Sequence, residues 1–196
     1  SELAVGEQLF EEMELGGTVN FIAFRQAVAG YNRIKEKNKP ILTLIDFSKP
    51  STEKRFFVFD MEKKKLLYSS VVAHGRNSGE NYATSFSNQY GSYKSSLGFY
   101  LTENTYQGGN GYSLILNGLE KGINDKAKAR SIVVHGAPYA NPSVAASGRL
   151  GRSLGCPALP TKLARPIINT IKDGSVMFIY ANNPHYLAQS NILHKN

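Results

Sequence analysis

The sequence predicts a mainly β domain with flanking helices and a helical N-terminal segment. Three observations point there. The hydrophobic period changes near residue 41, from recurrence every three or four residues to short runs of Phe, Val, Ile and Leu. Residues suited to strands and tight turns are plentiful, with 18 Gly, 11 Tyr and 10 Phe. No regular alternation of strands with helices marks a βαβ pattern, so the strands are expected to be mostly antiparallel. A chain of 196 residues is long enough for one full core and too short to need two.

Taken in order, Leu3, Leu9, Phe10 and Met13 form a short amphipathic pattern that stops at Gly16-Gly17. Phe21, Phe24, Val28, Tyr31 and Ile34 then line one face of a second helix. Thr18 or Asn20 is placed to cap it, and Pro40 closes the segment, giving a helical unit over 1–40. Strand-like runs follow at 41–47, 55–60 and 66–73, the last two joined by a hairpin turn through Lys63-Lys64-Lys65. The polar stretch 75–96 reads as a long surface loop, a length usually tied to function, and is expected to lie near the cleft and to be mobile. Further strands are expected at 99–102, 112–116, 131–134 and 175–180, with a helix over 163–171 that Asp173-Gly174 ends. Residues 41–182 form the expected main domain and 183–196 a C-terminal tail, in which His185 and His194 are solvated.

The net charge of +8 favours polyanionic surroundings such as nucleic acid, acidic headgroups or wall polymers. No aromatic-basic string and no zinc-finger spacing accompanies that charge, so nucleic acid is not expected as a partner. A single cysteine excludes an internal disulfide and a multi-cysteine zinc site. Such a residue is either a small buried hydrophobe or a reactive thiol.

Two segments decide where chemistry is to be sought. Residues 131–136 form an apolar strand ending in His135-Gly136, and residues 151–157 form a glycine-punctuated turn that delivers Cys156. An ordinary thiol is only a few per cent thiolate at neutral pH, and an adjacent imidazole raises the reactive fraction. A histidine at a strand end has its backbone fixed by the sheet, which suits a base that must hold its orientation. Glycine before the cysteine allows close backbone approach, so the amides of Gly155 and Cys156 are candidate oxyanion donors. Arg152 is a candidate to lower the thiol pKa or to grip a substrate carboxylate. On these physical grounds a reactive and a structural cysteine stay evenly matched.

Val134-His135-Gly136 followed by Ser153-Leu154-Gly155-Cys156 resembles the signature of the murein L,D-transpeptidases, the YkuD-like family. The wider frame is similar too: Val72-Ala73-His74-Gly75, Phe86-Ser87-Asn88, Ser95-Ser96-Leu97-Gly98, Asn117-Gly118-Leu119-Glu120 and Gly148 to Ser153, so that the resemblance covers residues 20–182. It departs at Leu154, where the broader family has histidine, and at Pro157, which offers no N–H. The resemblance implies a β-sandwich-like catalytic fold and acyl transfer on peptidoglycan stem peptides. Cys156 would be the nucleophile, His135 the base and Gly136 the carbonyl that holds its tautomer. Arg152, Ser153, His74, Tyr106 and Tyr139 are candidates to contact substrate, with Tyr93 a further stacking residue; for His74 a structural hydrogen-bonding role stays open, and for the tyrosines a packing role. No metal and no organic cofactor is expected. The expected location is periplasmic or secreted, peripheral to the cell envelope, with a signal segment removed ahead of Ser1. Two rivals remain: a cysteine hydrolase of carboxypeptidase or amidase type acting on other bonds, and a catalytically silent wall-binding module.

Overall fold

The computed structural model describes residues 1–194. Helices α1 (Glu2–Glu12) and α2 (Phe21–Arg33) open the chain, and the Asn20 side chain caps α2 by accepting from the amides of Ile22 and Ala23. Eight strands follow: β1 (Ile41–Asp46), β2 (Phe56–Asp60), β3 (Lys65–Ser70), β4 (Gly98–Gly108), β5 (Gly111–Gly118), β6 (Val133–Gly136), β7 (Ala158–Leu159) and β8 (Val176–Tyr180). Helix α3 (Thr161–Ile171) precedes β8.

All eight strands belong to one sheet in the order β3-β2-β1-β8-β4-β5-β6-β7. Most pairings are antiparallel, as expected, but β1 pairs with β8 and β6 with β7 in parallel. The sheet is nearly closed. Beyond its end β3 continues to Ala73, which exchanges backbone hydrogen bonds with Ala158 of β7 at 2.9 and 3.4 Å, and Gly75 bridges to Ser153. The two ends of the strand order therefore meet, and they meet beside the turn that carries the cysteine.

β1, β2 and β8 are almost wholly buried, so they read as continuous apolar runs rather than as alternating patterns. Helix α2 covers this part of the sheet with Phe24, Ala27, Val28 and Tyr31. Phe24 meets Phe59 edge to face at 5.2 Å, and Phe99 stacks on Phe178 at 4.2 Å. Such a pair contributes about 0.5–1.5 kcal/mol beyond its buried area. Helix α1 rests on α2 through Phe10, which meets Phe21 and Phe24.

The hairpin of β4 and β5 is longer than the short runs expected at 99–102 and 112–116. Its polar, exposed outer half carries little hydrophobic signal, and only the inner half reads as strand. Residues 183–194 are also more ordered than a tail. They form α4 (Pro184–Gln189) and α5 (Asn191–His194), with His185 and His194 exposed; residues 195–196 of the expected tail lie outside the described residues. The anchor is Glu120, a buried carboxylate that accepts from the Phe99 amide at 2.9 Å, the Tyr186 hydroxyl at 2.7 Å and the Ser190 hydroxyl. Those three donors offset the cost of burying its charge.

Gly30 of α2 gives a direct test of this packing. A Cβ there would fall 2.0 Å from the ring of Phe99, itself fixed against Phe178. Gly→Ala inside a helix ordinarily stabilises by about 1 kcal/mol through propensity. Here overpacking reverses the sign, and Gly30→Ala is expected to lower the unfolding free energy by about 1–3 kcal/mol in urea titrations.

Candidate active site

The turn that presents Cys156 is built by one serine and one glycine. The buried Ser153 hydroxyl donates to the Cys156 carbonyl at 2.6 Å and accepts the Gly155 amide at 3.1 Å. Gly155 sits at φ +128°, and a Cβ on it would come within 2.8 Å of Ile132 and 3.1 Å of the Lys94 carbonyl. Only glycine fits that position without strain. Leu154, at the tip, is 57% exposed.

The turn lies against β6. The Val133 amide points at Sγ of Cys156 from 3.4 Å, and the thiol is placed to donate to the Ser131 carbonyl at 3.5 Å. Two residues after Val133, the main chain of His135 pairs with Ala158 of β7, and its amide donates to the Pro157 carbonyl at 3.4 Å. Thus the sheet itself brings the histidine strand alongside the cysteine turn. His135 is 3% exposed, and its Nδ1 lies 2.9 Å from the Gly136 carbonyl. A carbonyl can only accept, so Nδ1 carries the proton and Nε2 is the basic nitrogen.

The cation beside this site is not the one expected. Arg152 donates to the carbonyls of Arg76 (2.9 Å) and Gly79 (3.4 Å) and pairs with Glu80 at 3.3 Å, so it secures the 76–80 turn. Arg130 takes the place beside the sulfur. Burial pushes the Cys156 thiol up; the Val133 amide and then the Arg130 charge pull against that shift. Arg130 also donates to Ser87 O (3.1 Å), Ser96 Oγ (2.9 Å), Ser92 Oγ (3.1 Å) and Lys94 O (2.9 Å). The 75–96 loop therefore runs past the cysteine turn, as expected of its position. Sequence reading passed over Arg130 because it belongs to none of the motifs; its only sign was a lone cation just before the histidine strand.

Three further expectations are corrected. The Gly155 amide is spent on Ser153, which leaves the Cys156 amide as the oxyanion donor of that pair. Ser153 is buried and engaged at both ends of its hydroxyl, so it shapes the turn and does not face substrate. His74 is 1% exposed, with Nδ1 against Arg55 Nη2 at 2.8 Å and Nε2 against the Gly79 carbonyl at 3.0 Å. Both nitrogens are occupied inside the fold, and its role is structural. Arg55, fully buried over the face of Phe47, also donates to the carbonyls of Val72 and Lys49.

The tyrosines divide. Tyr139 packs on Gly151, and its hydroxyl is pushed up to about 12 by burial and, secondarily, by the Cys156 sulfur. Tyr106, 41% exposed, walls a cavity of about 250 Å³ with Ile115, Lys128, Ser131, Ile132 and Val133. That cavity borders the two main-chain groups that contact the sulfur. Tyr93 is exposed at φ +55°, and its carbonyl accepts from Asn77 at 3.0 Å.

A family model described as L,D-transpeptidase catalytic domain matches residues 16–180. Among solved structures, the helical cell shape determining protein Pgp2 from Campylobacter jejuni is 15% identical, covering 81% of this chain and 55% of that one, with a TM-score of 0.49. L,D-transpeptidase 3 from Mycobacterium tuberculosis, in complex with a faropenem-derived adduct, is 15% identical over 71% of this chain and 60% of that one, at 0.46. An L,D-transpeptidase from Mycobacterium smegmatis is 13% identical over 72% and 59%, at 0.44. The chain thus spans well under two thirds of the length of each. Among curated proteins none matches.

The corrected role of His74 has a pH signature. Burial, then the Arg55 charge, push its pKa down from 6.5 to about 4, so it is neutral in the fold and protonates first in the unfolded chain. Between those values the unfolded state binds more protons, and stability falls as pH drops from 6.5 to 4, by about 3 kcal/mol at most. Urea midpoints measured across that window are expected to decline, and His74→Asn to flatten the decline. An unchanged slope in the variant would return His74 to the list of accessible residues.

Proposed function

The chain belongs to the L,D-transpeptidase catalytic domain family, and from that premise we propose that it performs cysteine-dependent acyl transfer on peptidoglycan stem peptides. The observation that carries the reading is the proton placed on Nδ1 of His135 by the Gly136 carbonyl at 2.9 Å, which leaves Nε2 as a base on the strand that contacts Sγ.

In the proposed first step Nε2 of His135 takes the thiol proton as Cys156 Sγ attacks a carbonyl at an L-centre, that of the stem's third residue. The Cys156 amide, with no partner among the described residues, faces the developing oxyanion. Collapse of the tetrahedral species breaks the peptide bond to the terminal D-alanine, and His135 returns the proton to the leaving amine. A thioester remains. An amine from a second stem then attacks it to form a cross-link, or water attacks to trim the stem; in either case His135 takes the nucleophile's proton and the thiol is regenerated. A stem at its first residue, L-alanine, fits the same chemistry as acyl acceptor. The cavity of Tyr106, Ile115 and Lys128 offers an apolar wall along the strand whose main chain meets Sγ, and Lys128 is paired there with Glu103 at 2.7 Å. A wall substrate places the protein in the cell envelope, where a net charge of +8 favours an anionic polymer.

Intact-protein mass spectrometry after incubation with a carbapenem tests the nucleophile. The wild type is expected to gain one covalent adduct and Cys156→Ala none. His135→Ala is expected to slow acylation by roughly 10²–10⁴-fold. An adduct on Cys156→Ala would overturn the assignment. Muropeptide products, read by mass, then separate cross-linking from trimming.

A further inference from the structure

We propose that Arg130 is a positioning residue for Cys156: a single guanidinium fixes segment 87–96 as a wall of the cleft and stands as the cation that faces the sulfur. The inference deepens the reading of Cys156 as nucleophile and rests on it.

The geometry comes from both ends of the side chain. Arg130 precedes Ser131, which sits at φ +58° and offers its carbonyl to the thiol at 3.5 Å. From that position the guanidinium reaches across the cysteine turn. Its Nη2 lies 3.5 Å from where a Cβ on Gly155 would be. Both Nη atoms are then committed: Nη1 to Ser87 O and Ser96 Oγ, Nη2 to Ser92 Oγ and Lys94 O. A planar fork satisfied in this way is rigid. Four of its five N–H donors are spent inside the protein, so it is not arranged to clamp a substrate carboxylate. The same strip of loop closes over the turn, since Lys94 O sits 3.1 Å from the Gly155 Cβ position.

Charge completes the argument. The charged or titratable groups that act on Cys156 are the phenol of Tyr139 and the guanidinium of Arg130, while β6, the strand that carries His135, meets Sγ through its main chain. Of these only Arg130 is a permanent cation, and Arg152 is turned away to Glu80. A cation held against a buried sulfur favours thiolate, so its removal moves the thiol further up.

Cys156 is the only cysteine, so alkylation by iodoacetamide reports on it alone. Arg130→Met is expected to move the midpoint of the alkylation pH profile up by about one unit, making the reaction roughly tenfold slower near neutral pH. Arg130→Lys keeps the charge and loses the fork; its midpoint is expected to stay near the wild-type value, while amide hydrogen exchange across 87–96 quickens. A wild-type midpoint in Arg130→Met overturns the proposal. If that variant does not fold, Arg130→Lys decides by exchange, and unaltered protection of 87–96 overturns it. The parent reading fails separately, by retained turnover in Cys156→Ala, which leaves the alkylation result unaffected.

Discussion

The sheet closes where Ala73 meets Ala158, and the seam made there governs the site. Neither strand end is strong alone: β7 has two residues, and the extension of β3 is held at single bridges. What holds them is a ladder of main-chain bonds around Ser153, whose amide donates to the His74 carbonyl at 2.9 Å and whose carbonyl accepts from Arg76 at 2.8 Å. The cysteine turn is the link between that ladder and β7. It is therefore fixed on one side by the extension of β3 and on the other by β6, which also carries the histidine. A small apolar cluster of Val71, Ala73, Ala137, Ala140, Leu150 and Ala158 fills the space behind the seam. Small side chains are needed there because two backbones approach closely.

Two arginines, neither of them a substrate ligand in this arrangement, make the seam rigid from opposite sides. Arg55, buried among apolar strands, donates to the Val72 carbonyl and to His74, so the β3 extension cannot slide. Arg130 does the equivalent for the loop that covers the cysteine turn. Each guanidinium offers five donors in one rigid planar fork, where a lysine offers three on a flexible stem. Buried charge of this kind is costly unless its donors are satisfied, and here they bond carbonyls that irregular backbone would otherwise leave without partners. The polar groups of the closing segments and the two cations, Arg55 buried and Arg130 half-buried, thus satisfy one another.

Much of this was legible in the chain. The change of period at residue 41, the cap at Asn20 and the apolar runs of β1, β2 and β8 follow from local rules, and the structure contains those elements. Cys156 and His135 stood out because their residue types sit in a turn and at a strand end, and the structure brings their segments together. Illegible were the roles set by long-range partners. His74 and His135 have the same local signature, a histidine before glycine at the end of an apolar run. One is enclosed by Arg55 and Gly79, the other has one nitrogen without a partner among the described residues, and nothing within several residues of either distinguishes them. Arg152 and Arg130 were exchanged for the same reason. Proximity in sequence to the cysteine favoured Arg152, while the fold turns it toward Glu80 and carries Arg130 across the turn.

The state of the resting thiol follows from these placements. Burial dominates over the Val133 amide and the Arg130 charge, so the net displacement of Cys156 is upward, and at neutral pH the sulfur keeps its proton. For the proposed acyl transfer, this makes His135 a general base that acts as the sulfur attacks, which demands a fixed tautomer and a fixed ring. The Nδ1 bond to Gly136 supplies the tautomer, and the pairing of His135 with Ala158 fixes the main chain that carries the ring. A neutral buried thiol also costs less in an apolar seam than a buried anion would. The closure of the seam and the protonated resting thiol therefore go together, since the same burial accompanies both.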